Sequence, residues 1–252
     1  MKKRNISLLT IVAFMLYYLM IMRILPSPIK YSSQNWSFLL FNVQCSIPAC
    51  VVLYLIHKKE ILKSIGLDRN IIQGFTYGFI CVVPMLLYML LFGRWNNSIS
   101  LLYLFNATVV AGFFEELLFR GLLFGQLFRY AKWGFLPAIL VASFIFGLGH
   151  IYQGTDITSS ILAGLITGLG GILFGWIYIE TNYSLWCNAF LHILMNFSWT
   201  AFSNVNNGAI GDVGTNIARA LTIIIAVCLV IFYKRKKNIP YIVTFKKLLI
   251  NK

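Results

Sequence analysis

Acidic side chains are scarce: there are seven Asp and Glu in 252 residues, and only 11% of the chain carries charge of either sign. A soluble domain of ordinary composition carries about a quarter charged residues, so none of useful size can be drawn from this chain. The five cysteines, Cys45, Cys50, Cys81, Cys187 and Cys228, lie in apolar runs without C-x-x-C spacing. They read as small core residues and say little about redox compartment. The H-E-x-x-H helix of soluble metalloproteases is missing. No serine or cysteine stands at a compelling spacing from a histidine, which weakens a covalent nucleophile. Repeats of about 20 to 50 residues are not evident, and no low-complexity linker splits the chain.

What is present is apolar. Hydrophobic residues make up 59% and aromatics 16%, with a mean hydropathy of +0.79. A bilayer core is about 30 Å thick and takes roughly 20 apolar residues per helix, so this length holds about eight short-looped spans and little else. Apolar runs cover 6–22, 38–56, 71–92, 101–128, 135–150, 161–179, 185–202 and 217–233, which predicts an all-α, polytopic membrane bundle of about eight helices. Met1-Lys2-Lys3-Arg4 and the first run could be the start of a signal peptide. No small-x-small cleavage site follows, so the run is kept as the first span. Pro48 and Pro84 fall inside the second and third spans, where neighbouring helices can satisfy the freed carbonyls. Gly164-x-x-x-Gly168 and Gly171-x-x-x-Gly175 in the sixth span are small-residue ladders for close helix packing.

The net charge of +14 does not point to nucleic acid. Its Lys and Arg residues lie between apolar runs and at the ends of the chain, as topology determinants and contacts for anionic lipids. If eight spans alternate from a cytoplasmic N-terminus, one side receives sixteen of the 21 basic residues. These are Lys2 to Arg4, then Lys58, Lys59, Lys63 and Arg69, then Arg129 and Lys132, and finally Lys234 to Lys237, Lys246, Lys247 and Lys252. The other side receives Arg23, Lys30, Arg94 and Arg219, and Arg120 lies within a span. The asymmetry predicts a multi-pass protein of the plasma membrane with both termini cytoplasmic. The stretch Tyr241 to Ile250 is expected either to lie along the inner membrane surface or to fray. Three regions are expected: 1–100 with the first three spans, 101–202 with the polar residues, and 203–252 with the last span and the basic tail.

Those polar residues begin at Gly112 to Phe124, where Glu115, Glu116 and Arg120 interrupt an apolar run. Charge at membrane depth is costly and marks a functional site by default. Residues four apart share a helix face, so Glu116 and Arg120 can pair while Glu115 points about 100° away, free for another task. The fifth span ends in Phe146-Gly147-Leu148-Gly149-His150. By the same spacing Asn188, His192 and Asn196 form one polar stripe on the seventh, which must face the bundle interior. At about 1.5 Å per residue, Glu115 and His150 lie roughly 21 and 24 Å from one membrane side, and His192 roughly 12 Å.

Two carboxylates, two histidines and an asparagine are the parts for activating a water. A carboxylate or a metal takes its proton, a histidine orients or ligates, and an amide donates to an oxyanion. Glu115 with His150 and His192 would also suit Zn2+ with an open fourth position. Plainer readings compete: Glu116 and Arg120 as a buried ion pair, His150 as an interfacial histidine, and Asn188 above all as interhelical glue. The coincidence of three sites on separate spans favours chemistry.

In their order, E-E-x-x-x-R (Glu115, Glu116, Arg120), F-x-x-x-H (Phe146, His150) and H-x-x-x-N (His192, Asn196) resemble the CPBP, or Abi, family of intramembrane endopeptidases. That family includes type II CAAX prenyl proteases and bacteriocin-processing or immunity proteins. The resemblance covers about 101–202 and implies an eight-helix fold enclosing the site, with hydrolysis of a peptide bond in a membrane-associated peptide or lipidated protein. It implies that Glu115 activates water with His150, that His192 and Asn196 bind the metal or stabilise the oxyanion, and that Glu116 and Arg120 shape the site. Membrane lipids and a peptide or lipidated-protein substrate are the expected partners. Two readings from other classes stay open: a proton-coupled transporter with buried carboxylate relays, and a non-catalytic immunity or scaffold protein. Transporters usually carry inverted repeats and broken helices, whereas here the polar residues keep to three spans.

Overall fold

Capping residues decide where the apolar runs become helices. The computed structural model describes residues 1–26, 29–30, 32–203 and 210–251. Lys252, one of the basic residues assigned to the tail, lies outside them. The expected runs form eight helices: α1 (Lys3–Ile21), α2 (Ser37–His57), α3 (Ile71–Phe92), α4 (Leu101–Tyr130), α5 (Phe135–Leu148), α6 (Ile157–Glu180), α7 (Leu185–Thr200) and α8 (Val213–Lys236). Asn70, Ser100 and Ser184 each accept from an amide in the first turn of α3, α4 and α7. Asp156 with Ser159 and Asp212 with Thr215 form reciprocal capping boxes on α6 and α8. These boxes start both helices a turn ahead of their apolar runs, because the cap and not the first apolar residue sets the boundary.

Among the described residues seven helices are long and apolar enough to cross a membrane. The eighth, α7, has 16 residues, roughly 24 Å. It ends before Phe202, expected in the seventh span, because that residue enters a short antiparallel pair: β1 (Arg94–Trp95) with β2 (Phe202–Ser203). Large apolar side chains such as Leu90, Leu91, Phe144, Leu165 and Leu169 point outward. Such a surface fits hydrocarbon as its solvent, as an integral, multi-pass membrane protein requires. Cys45, Cys81 and Cys187 are core residues, but Cys50 and Cys228 lie on the exposed surface. Core packing therefore holds for three of the five thiols, which are apolar enough for either setting.

The glycine ladder on α6 packs against α5. A side chain at Gly164 or Gly168 would meet the backbone carbonyls of Gly147 and Ser143, and one at Gly171 or Gly175 would meet the side chains of Ser143 and Ile139. Along α4 the segments Asn106–Val110, Leu117–Phe124 and Gln126–Tyr130 are wound as π-helix, which widens the helix through the charged stretch; such windings recur at functional sites.

The two ends of the bundle differ. One end gathers residues 22–26 and 32–36, the β1–β2 pair and the loops 93–100 and 149–156, and the side-chain amide of Asn106 donates there to the carbonyls of Ser33 and Asn35. The other end gathers the start of α1, the loops 58–70, 131–134 and 181–184, and the tail. The tail is a built part of the fold. The amides of Gly134 and Leu136 donate to Leu249 O and Leu248 O at 3.1 and 2.9 Å, and Asn251 donates to Lys132 O and Phe128 O. A Cβ at Gly134 would stand 2.0 Å from the Leu249 carbonyl carbon, so only glycine admits the strap. At its other edge Glu180, paired with Lys234, accepts from the amides of Ile242 and Val243 at 3.1 and 2.8 Å.

Candidate active site

Helix α4 delivers the carboxylates. Glu116 is fully buried and receives Arg120 Nη1 at 2.9 Å, one helical turn along. The Arg120 guanidinium lies between the Phe146 and Phe174 rings, 4.8 and 5.1 Å from their centroids. Cation–π contact of this kind contributes about 2 kcal/mol where water is excluded, which makes a buried guanidinium tolerable. Phe146, the first residue of F-x-x-x-H, thus reaches α4 through the arginine.

Helix α7 closes the cluster. Gly112 lets it approach: a Cβ there would come within 3.1 to 3.3 Å of Ile193 atoms, main chain included. His192 Nδ1 meets Glu116 Oε1 at 2.7 Å. With Glu116 ionised against Arg120, that nitrogen carries the proton, and neutral His192 has its lone pair on Nε2. Nε2 faces Glu115 Oε2 at 3.7 Å. Asn188, fully buried one turn before His192, donates to Phe174 O at 2.7 Å and to Glu116 Oε2 at 3.3 Å. The glue expected of Asn188 therefore joins α7 to α6 and also holds the carboxylate. Phe174 and the carboxylate role of Asn188 escaped the sequence reading; an aromatic on a glycine-rich helix and one more interhelical amide carry no distinctive signal.

Glu115 is the less enclosed carboxylate, its side chain 32% exposed against 0% for Glu116. Among the described residues its Oε2 has no hydrogen-bond partner. It borders a cavity of about 930 Å3 that is also lined by Glu116, Arg120, Phe146, His150, Phe174, His192 and Asn196. His150 sits just past the end of α5, and its Nδ1 pairs with Phe146 O at 2.8 Å. A carbonyl only accepts, so Nδ1 donates and Nε2 of neutral His150 is left bare. Asn196 donates to Ala107 O at 3.4 Å. All six expected residues thus border one space. The tight hydrogen-bonded cluster comprises Glu116, Arg120, His192 and Asn188; the side chain nearest Glu115 in it is His192 on α7.

The proposed zinc ligands share the cavity without forming a ligand set. Among the described residues no three His, Cys, Asp or Glu side chains are grouped closely enough to hold a metal ion.

A buried acid and histidine cluster opening on a large cavity inside a membrane bundle defines a class: integral membrane proteins with a candidate functional site in the bundle interior. Within it, residues 95–198 match the family model of type II CAAX prenyl endopeptidases, Rce1-like. This match agrees with the CPBP resemblance of the three motifs, spans every one of the six residues, and at family level supports a membrane protease. No curated protein sequence matches the chain.

Proposed function

We propose that the chain is an intramembrane endopeptidase that hydrolyses a peptide bond in a membrane-associated peptide or lipidated protein, with Glu115 as the base. The observation that carries this is the state of Glu115: a partly exposed carboxylate on the cavity whose buried oxygen, Oε2, has no hydrogen bond among the described residues, beside a histidine whose tautomer a second carboxylate fixes. A water on the cavity side of Glu115 loses a proton to Glu115, and its oxygen adds to the scissile carbonyl carbon. The amide of Asn196 donates to the resulting oxyanion. Collapse breaks the C–N bond, and the proton held on Glu115 passes to the departing amine, leaving an acid and an amine as products. His150, which lines the same cavity and is bare at Nε2, orients the water. Arg120 and Asn188 act at one remove, keeping Glu116 ionised and in place so that His192 presents Nε2. The chemistry alone suits CAAX-like processing, maturation of a bacteriocin or other peptide, and self-immunity; the side from which the cavity is reached decides among them.

The test is cleavage of candidate membrane peptides by the purified protein and by Glu115→Gln, His150→Ala and His192→Ala, with and without a chelator. Each variant is expected to lose cleavage while staying folded. Full activity in Glu115→Gln would sink the mechanism, and loss of parental activity with chelator would move water activation to a metal. A cellular phenotype that survives all three substitutions would favour a scaffold.

A further inference from the structure

We infer that the cavity is served from the extracytoplasmic face, so that its substrate is a peptide segment presented at the outer leaflet and not a cytoplasmic lipidated C-terminus. The substrate half of this statement rests on the endopeptidase reading above; the direction of the opening does not.

The cavity runs from Glu116, Arg120 and Phe174 inside the bundle toward one end of it, and its outermost lining residues belong to that end. They include Ser33 and Phe38 at the start of α2, Tyr103 at the start of α4, Tyr152 and Gln153 beyond the end of α5, and Thr200 at the end of α7. Tyr152 and Gln153 are exposed, so the cavity has its mouth at this end. The opposite end is sealed. There Glu180 and Lys234 are buried against the tail, the tail is bonded to Gly134, Leu136 and Lys132, and His57 Nε2 meets Gln126 Oε1 at 2.6 Å.

Charge tells the two ends apart. The sealed end holds Lys2, Lys3, Arg4, Lys58, Lys59, Lys63, Arg69, Arg129, Lys132 and the cationic run from Lys234, whereas the mouth end has Arg23, Lys30, Arg94 and Arg219. In short loops an excess of Lys and Arg is retained on the cytoplasmic side. The sealed end is therefore cytoplasmic and the mouth faces outward. The mouth brings mainly aromatic and apolar surface, Phe38, Tyr103, Tyr152 and Trp199 among it, which suits apolar side chains of a segment resting at the membrane interface.

The experiment uses the full-length protein in a Cys50→Ser/Cys228→Ser background, which removes the two exposed native thiols. Single cysteines are placed at exposed positions of the mouth end (Gln153→Cys, Asn97→Cys) and of the sealed end (Lys59→Cys, Lys246→Cys). A membrane-impermeant maleimide is applied to intact cells and to permeabilised ones. Gln153→Cys and Asn97→Cys are expected to label fully in intact cells, and Lys59→Cys and Lys246→Cys only after permeabilisation. The reverse pattern overturns the proposal, and two positions per end keep the result readable if one variant misfolds. A charged peptide substrate given to sealed right-side-out vesicles is then expected to be cut from outside and to be spared by inside-out vesicles. The expected labelling with no cleavage from either side would count against the endopeptidase reading alone and leave the outward opening standing.

Discussion

Glu116 with Arg120 and Glu180 with Lys234 are both ion pairs withdrawn from solvent, yet only the first borders the cavity. Each carboxylate is saturated. Glu116 accepts from Arg120, His192 and Asn188, and Glu180 accepts from Lys234 and the amides of Ile242 and Val243. The difference lies next door. Beside Glu116 stands Glu115, with an oxygen that meets no donor among the described residues, whereas Glu180 is closed over by the tail. A buried pair in itself marks only a place where desolvation has been compensated. What separates a site from a clamp is an adjacent carboxylate that borders the cavity and keeps an oxygen without a donor.

Substitutions can break this contrast. The largest effect is expected from Glu115→Gln, which keeps shape and removes the base: peptide cleavage should fall by about 10²- to 10⁴-fold with an unchanged unfolding midpoint. If cleavage persists, the two pairs do not differ in the way argued. Glu180→Ala strands a buried ammonium and should cost about 3–5 kcal/mol of stability, read as a lowered unfolding midpoint, while cleavage per folded molecule is unaltered. Pairing Glu180→Leu with Lys234→Met should recover most of that loss, since an apolar pair of similar volume needs no partner. Asn188→Ala removes a donor from Glu116 and from Phe174 O and should cost about 1–3 kcal/mol, together with a fall in cleavage as His192 loses its fixed acceptor. The smallest effect is expected from Gly112→Ala. Ile193 must give by a few tenths of an ångström, and the resulting shift of His192 against Glu115 should lower kcat/KM about tenfold with little change in midpoint.

Much of this was legible from residue spacing. The i, i+4 relation of Glu116 and Arg120 appears as a 2.9 Å ion pair, and the stripe Asn188, His192, Asn196 faces inward. The span count follows from apolar runs alone, because a bilayer leaves the backbone few options. What could not be read depends on which helices become neighbours. Hydropathy gives no reason for His192, and not His150, to be the side chain nearest Glu115, nor for Phe174 to cover Arg120. Glu180 passed unnoticed because it stands at the end of an apolar run, where a charge is ordinary; its burial comes from a tail some 60 residues further on, whose mixed pattern of Ile, Val, Phe and Lys favours no single structure. Capping boxes at Asp156 and Asp212 were visible as D-x-x-S and D-x-x-T, but an apolar-run reading passes over them.

The tail strap also bears on the order of assembly. The amides of Gly134 and Leu136 find their acceptors in Leu249 and Leu248, residues that follow all eight helices in the chain. Until the tail docks, the rim formed by the end of α4 and the start of α5 is unfinished, so this end of the bundle is completed by the last residues described.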